Sequence, residues 1–271
     1  MISVLFLCLA AAIFLPVPWN AHAWEKLAGG LFLKEFDPPR KSLVSNDSVV
    51  VLRIDPEIYA LRLLSTSEHS DRHRTARQWA DDFGLLAVIN ASMYQEDDKT
   101  STGYMKNFGH VNNGQVNARY GAFMAFHPNR PGIPRVQIID RYHQSWKKII
   151  RQYDTVIQNY RMISLKGENL WKPSHKIYSA ACVGVDNEGH VLFIHSRSPF
   201  SVHDLNQILL GLPIAIKNAM YVEGGPEATL YLNVNNKARA WVGNYEIDAT
   251  EHDPSRWGSE IPNVIGIVKR K

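Results

Sequence analysis

The chain has 271 residues, 45% of them hydrophobic and 21% charged, with 17 glycines and 14 prolines. That balance excludes a disordered, collagen-like or low-complexity chain and suffices for one substantial core. The net charge of +4 is modest and spread along the sequence. Its densest basic run, Arg72, Arg74 and Arg77, is too short for a nucleic-acid surface, so no nucleic-acid partner is expected.

The first 23 residues carry no Lys, Arg, Asp or Glu, and an apolar run from Val4 to Val17 leads to Ala21-His22-Ala23, an A-x-A cleavage pattern. The segment 1–23 reads as a secretory signal, with the mature chain 24–271 starting near Trp24 and residing in the periplasm or outside the cell. An uncleaved anchor is the alternative, but the run is short for a span of roughly 20 residues and is broken by Pro16. The mature chain is expected to carry no stable membrane span. Cys182 is its one cysteine, so it has no internal disulfide, and its apolar strand marks it as core filler.

Downstream, Val49–Ile54 and Tyr59–Leu64 are β-rich runs that read as a hairpin across Asp55-Pro56. Thr75 predicts a helix cap, Gly84 a helix stop after Phe83, and Leu85–Ile89 a fully buried strand. Tyr120–Phe126 and Val136–Ile139 read as strands, Tyr142–Gln152 as a surface helix and 155–164 as extended chain. Asn187-Glu188-Gly189 marks a hairpin between 181–185 and 190–195, and Ser201 to Asp204 caps a helix running to Leu210. Ala228–Leu232, Ala238–Val242 and Val264–Val268 complete the strands. This order predicts an α+β (mixed α/β) fold, a single domain with a mixed central sheet and a few short helices.

The most informative stretch is Ala219 to Tyr231, where an apolar strand enters Glu223-Gly224-Gly225-Pro226-Glu227 and re-enters a strand. The two glycines admit backbone conformations and ligand approaches closed to other residues, and Pro226 fixes the exit direction. Carboxylates flanking such a turn suit acid/base or nucleophilic work, although the turn also reads as a turn alone. Asn90 reads either as a sugar-orienting amide or as a strand-end Asx cap. Glu96-Asp97-Asp98 is an acidic loop tip with no ligand spacing behind it, so a divalent cation is left unassigned and no cofactor is expected.

Taken in series, Asn90-Ala-Ser-Met-Tyr94, Thr102-Gly-Tyr104, Ala181-Cys-Val-Gly-Val-Asp186 with Gly189, the helix from Ser201, and Glu223-Gly-Gly-Pro-Glu-Ala-Thr-Leu-Tyr231 resemble the phosphodiester glycosidase family. That family's counterparts read approximately Asn-Gly-Gly-Tyr-Phe, an Arg-Thr-Ala-Ile-Gly-type strand and Asp-Gly-Gly-Gly-Ser. The likeness covers roughly residues 50–235. Ala91-Ser92 stand in for two glycines, Tyr178-Ser179-Ala180 for the arginine-led strand start, and Glu223 for the aspartate.

The resemblance implies hydrolysis of a sugar phosphodiester, with a carbohydrate or phosphosugar as partner, through an oxocarbenium-like transition state flanked by two acids. Glu223 and Glu227 are the catalytic candidates. Asn90, Ser92, Tyr94, Tyr104, His195, Arg197, Gly224, Gly225 and Thr229 are the candidate substrate contacts, with Arg197 the candidate phosphate clamp, although His195 and Arg197 also read simply as rim residues. A rival reading is a non-catalytic envelope protein of the same fold that binds a glycan or phosphosugar. The enzyme reading further expects strands 85–89 and 219–222 to neighbour each other in one sheet, both ending at the pocket.

Overall fold

The computed structural model describes residues 23–38, 48–243 and 258–271; the leader and the Ala21-His22 part of its cleavage pattern lie outside them. Strands make up 48% and helices 12% of the described residues, which are mainly β with a few short helices. In chain order the strands are β1 (Glu25–Ala28), β2 (Leu31–Phe36), β3 (Val49–Ile54), β4 (Tyr59–Ser65), β5 (Ala87–Asn90), β6 (Met105–Asn107), β7 (His110–Asn113), β8 (Ala122–Pro128) and β9 (Val136–Asp140). Then follow β10 (Tyr153–Asn159), β11 (Arg161–Ile163), β12 (Tyr178–Asp186), β13 (Val191–Phe200), β14 (Ile216–Gly224), β15 (Thr229–Val234), β16 (Lys237–Val242) and β17 (Asn263–Lys269). The helices are α1 (Ala76–Phe83), α2 (Trp146–Ile150) and α3 (Val202–Gly211).

The strands form three sheets: a seven-stranded one in the order β1-β2-β3-β13-β12-β14-β11, and two five-stranded ones, β7-β6-β10-β8-β9 and β16-β15-β5-β17-β4. Neighbours in the central row pair antiparallel, with β13 against β3, β12 against β13 and β14 against β12. The expected mixed central sheet is therefore replaced by antiparallel sheets packed on one another. One core joins them: Val50, Leu52, Ala181, Val183, Val191 and Phe193 of the large sheet meet Ile89, Leu230 and Ile265 of one small sheet and Met124 and Ile157 of the other.

Each helix covers an outer face. Leu205, Ile208 and Leu209 of α3 pack on Val51, Cys182, Leu192 and Ile194, the opposite face of the large sheet. Trp79 of α1 packs on Val88 and Val264, and Trp146, Ile149 and Ile150 of α2 pack on Phe123, Tyr153 and Val156. Strands apolar at every position, such as 181–185 and 191–194, are thus explained: both faces are buried. Cys182 is fully buried and burial pushes its thiol up, as suits a packing residue.

The local signals were accurate where the chemistry is short-range. Thr75 and Gln78 form a reciprocal capping box on α1, and Gly84 ends it at φ 65°. Two expectations fail. Val49–Ile54 and Tyr59–Leu64 are strands but not a hairpin, because β3 lies in the large sheet and β4 pairs with β17 in a small one. The Asp55 carbonyl accepts from the Ile58 and Tyr59 amides, and its side chain from Glu57, turning the chain between sheets. The helix predicted over 142–152 shortens to α2, because Asp140 takes the Tyr142 amide and Gln144 reaches back to the Asp140 amide, fixing a turn first.

Candidate active site

The glycine corner is the crossing between two sheets. β14 ends at Gly224 in the large sheet, Gly225–Glu227 make one 3-10 turn, and β15 starts at Thr229 in the small sheet beside β5. The sheets part here and leave a cavity of about 380 Å³ lined by Ile177, Tyr178, Tyr221, Glu223, Glu227 and the two glycines. Gly225 sits at φ 71°, in the left-handed region that favours glycine. Gly224 is extended and is required for space instead: a Cβ there would lie 1.9 Å from the Tyr221 hydroxyl.

Glu223 is 8% exposed. Burial, and then the neighbouring Glu227 charge, push its carboxyl up to about 8, against the opposing pull of the Gly224 amide, which donates to Oε1 at 3.0 Å. At neutral pH this side chain is therefore a neutral acid on the cavity wall with a second carboxylate in electrostatic reach. Tyrosines crowd the same place. The Tyr120 hydroxyl, in electrostatic reach of Glu223, donates to Thr102 Oγ1 at 2.9 Å, and its ring packs edge-on against Tyr160 with centroids 4.4 Å apart.

Of the candidates read from sequence, Glu223, Glu227, Gly224 and Gly225 line the cavity. Asn90 and Thr229 stand behind it. Asn90 Nδ2 donates to the Glu227 carbonyl at 2.9 Å, the Thr229 amide donates to Asn90 Oδ1 at 2.7 Å, and Thr229 Oγ1 donates to the Glu227 carbonyl at 3.0 Å. The Asn90 amide thus staples the corner. The expectation that strands 85–89 and 219–222 share a sheet is corrected: β5 pairs with β15, the strand leaving the corner, while β14 belongs to the large sheet.

His195 is fully buried and lies beneath the corner, not on the cavity wall: Nε2–H donates to the Ala228 carbonyl at 3.1 Å, and Nδ1 has no hydrogen-bond partner among the described residues. Burial pushes it down to about 4, so the ring is neutral. Arg197 sits in a bulge of β13, where Ala180 pairs with Ser196 but Tyr178 with Phe200. Its carbonyl accepts from Ser179 Oγ at 2.5 Å, which places its backbone beside the start of β12; Arg197 is not among the residues lining the cavity.

The other three candidates lie elsewhere. Ser92 is buried, with its hydroxyl donating to the Met93 carbonyl and meeting Ser101 Oγ at 2.7 Å, so it closes the 92–101 loop. Tyr94 bridges Ser101 in that loop. Tyr104 packs with the Phe123 cluster on the far side of the β8–β10 sheet. Tyr178, Tyr221 and Ile177 were missed. Tyr221 precedes Glu223 by two positions, so strand alternation alone carried a signal for it.

At the acidic tip, Asp97 spends its oxygens on the Lys99 and Thr100 amides and the Thr100 hydroxyl. Among the described residues one trio of ligand type gathers, Asp186, Glu188 and His190, within 4.8 Å. Arg53 already fills it, with Nη2 2.5 Å from Glu188 and Nε 3.2 Å from Asp186.

A sequence model of the phosphodiester glycosidase family matches residues 83–268, the span that carries every candidate residue above. The chain belongs to the phosphodiester glycosidase family. Solved structures agree on the fold. The catalytic domain of zebrafish N-acetylglucosamine-1-phosphodiester alpha-N-acetylglucosaminidase, auto-inhibited by its pro-peptide, matches at TM-score 0.56 and 13% identity, over 93% of this chain and 85% of that one. A hypothetical protein from Synechocystis matches at TM-score 0.58 and 13% identity, over 93% of this chain and 64% of its own. A putative exported protein from Burkholderia pseudomallei matches at TM-score 0.54 and 10% identity, over 82% and 74%. No curated protein sequence matches the chain. No helix among the described residues is long and apolar enough to cross a membrane.

Proposed function

We propose that this phosphodiester glycosidase is an exported hydrolase, periplasmic or secreted, that breaks the bond between a sugar's anomeric carbon and a phosphodiester oxygen. The observation that carries the reading is Glu223, a buried acid held near pH 8 on the wall of a cavity that it shares with Glu227. A phosphodiester carries a negative charge, and a neutral Glu223 faces it without repulsion and gives its proton to the departing phosphate oxygen. Glu227 supplies the opposing carboxylate, which steadies the positive charge growing on the sugar ring and takes a proton from the attacking water. The C–O electron pair leaves with the phosphate oxygen, and the products are a free sugar and a phosphomonoester.

Phosphate is a weakly basic leaving group, so protonation matters less here than charge stabilisation, for which Arg197, in the bulge of β13 near the start of β12, is the proposed cationic partner. The zebrafish enzyme's name supplies the bond type for this reading. The sugar is tested directly. Incubation with the methyl 1-phosphodiesters of N-acetylglucosamine, glucose and mannose should release free sugar and methyl phosphate from at least one. No release from any, with sugar 1-phosphates still bound, would leave the binding-protein reading in its place.

A further inference from the structure

Tyr221 is 6% exposed, and its hydroxyl stands in the space a Cβ on Gly224 would fill. The Tyr178 ring stands edge-on to the Tyr221 ring, with centroids 6.4 Å apart at 76°, and flanks the same Gly224. Tyr178 is only half-buried and lines the cavity, where Glu223 lies deeper. Glu223 gives its proton to the departing oxygen, so the phosphate lies against the wall that Glu223 shares with Tyr178.

We propose that Tyr178 is a substrate-contacting residue of the phosphate subsite, donating its O–H to a phosphoryl oxygen of the leaving group while the Tyr221 ring packs against its own. The proposal rests on the phosphodiester glycosidase reading. Tyr178 contributes a hydrogen bond and transfers no proton, so the balance of the reaction is unchanged. A neutral donor suits a site whose acid must stay protonated, because a cation in direct contact with Glu223 would favour its ionised form.

The test compares wild type and Tyr178→Phe on methyl sugar 1-phosphodiesters and on p-nitrophenyl glycosides of the same sugars, which lack the phosphate. The proposal expects kcat/KM to fall about 10- to 100-fold on the phosphodiesters and to stay within about twofold on the aryl glycosides. Equal losses on both classes would make Tyr178 a sugar contact, and no loss would remove it from the site; either overturns the proposal. The melting temperature of Tyr178→Phe, measured on the same preparation, must match that of wild type if folding is not the cause.

Calorimetric titration with the sugar 1-phosphates and with the free sugars separates this proposal from the reading beneath it. Should wild type hydrolyse nothing, a phosphate-dependent affinity lost in Tyr178→Phe still supports the subsite. A wild type that binds no sugar 1-phosphate overturns both.

Discussion

Glu223 and His195 are buried ionisable side chains that burial drives in opposite directions. Glu223 rises from an ordinary 4.5 to about 8, so between those values the folded protein holds a proton that the unfolded chain has lost. Stability from this group is complete below 4.5 and is lost as pH rises through 8, by on the order of 5 kcal/mol in all. His195 falls from 6.5 to about 4, so there the unfolded chain holds the extra proton. Its contribution is complete above 6.5 and is lost as pH falls through 4, by on the order of 3 kcal/mol. Denaturant midpoints measured from pH 4 to 9 should therefore peak between these limits. His195→Leu should flatten the acid side, because the Ala228 carbonyl keeps its second bond, from the Gly243 amide at 2.8 Å. An acid limb as steep in the variant as in wild type would place the titration elsewhere. Asn90 acts at the same scale: Asn90→Ala strips two bonds from the corner and should cost about 2–4 kcal/mol in urea unfolding. A change under about 0.5 kcal/mol would mean that the corner holds without its staple.

At the scale of elements, the corner works because a strand, a 3-10 turn and a strand in another sheet interlock around two glycines. Gly224→Ala should destabilise by about 1–3 kcal/mol through contact with the Tyr221 hydroxyl. Tyr221→Phe removes that atom, leaving its nearest neighbours 3.1 and 3.2 Å away, so the double variant should be markedly more stable than the sum of the single effects. Strict additivity would contradict the geometry. The same element shows how much was legible in sequence. Strand, glycine turn, strand, and the acids at either end were readable because turn chemistry is local. The pairing of β5 with β15 was not, since apolar runs buried on both faces carry no mark of their partner. His195 drew attention as a polar residue near a strand end, but in sequence a ligand-facing histidine and a core histidine bonded to a carbonyl look alike.

At the scale of the molecule, three antiparallel sheets share one core and each has an outer face shielded by a helix, so the cavity opens where the chain crosses from the large sheet to a small one. Family membership and fold agree across residues 83–268 at identities near 13%, which carries the architecture; catalysis is left to the particular side chains. Export is argued at this scale too. Trp24 packs edge-on against Phe36 with centroids 5.9 Å apart, and β1 begins at the next residue, so a cut before Trp24 leaves β1 and this contact in place. N-terminal sequencing of the protein recovered from its native compartment should read from Trp24; a chain that starts at Met1 and sediments with membranes would mean an anchor.

The account stands on Glu223 as a protonated acid that acts in chemistry and strains the fold. Its most direct test is Glu223→Gln, with turnover of a methyl sugar 1-phosphodiester and melting temperature measured on the same preparation at pH 7 and pH 9. The amide is nearly isosteric and cannot ionise. Turnover at pH 7 should fall on the order of 10²-fold or more, while the variant melts at or above the wild-type temperature and gains most at pH 9. Turnover unchanged at an unchanged melt, or a loss of turnover that only follows a loss of folded protein, would contradict it.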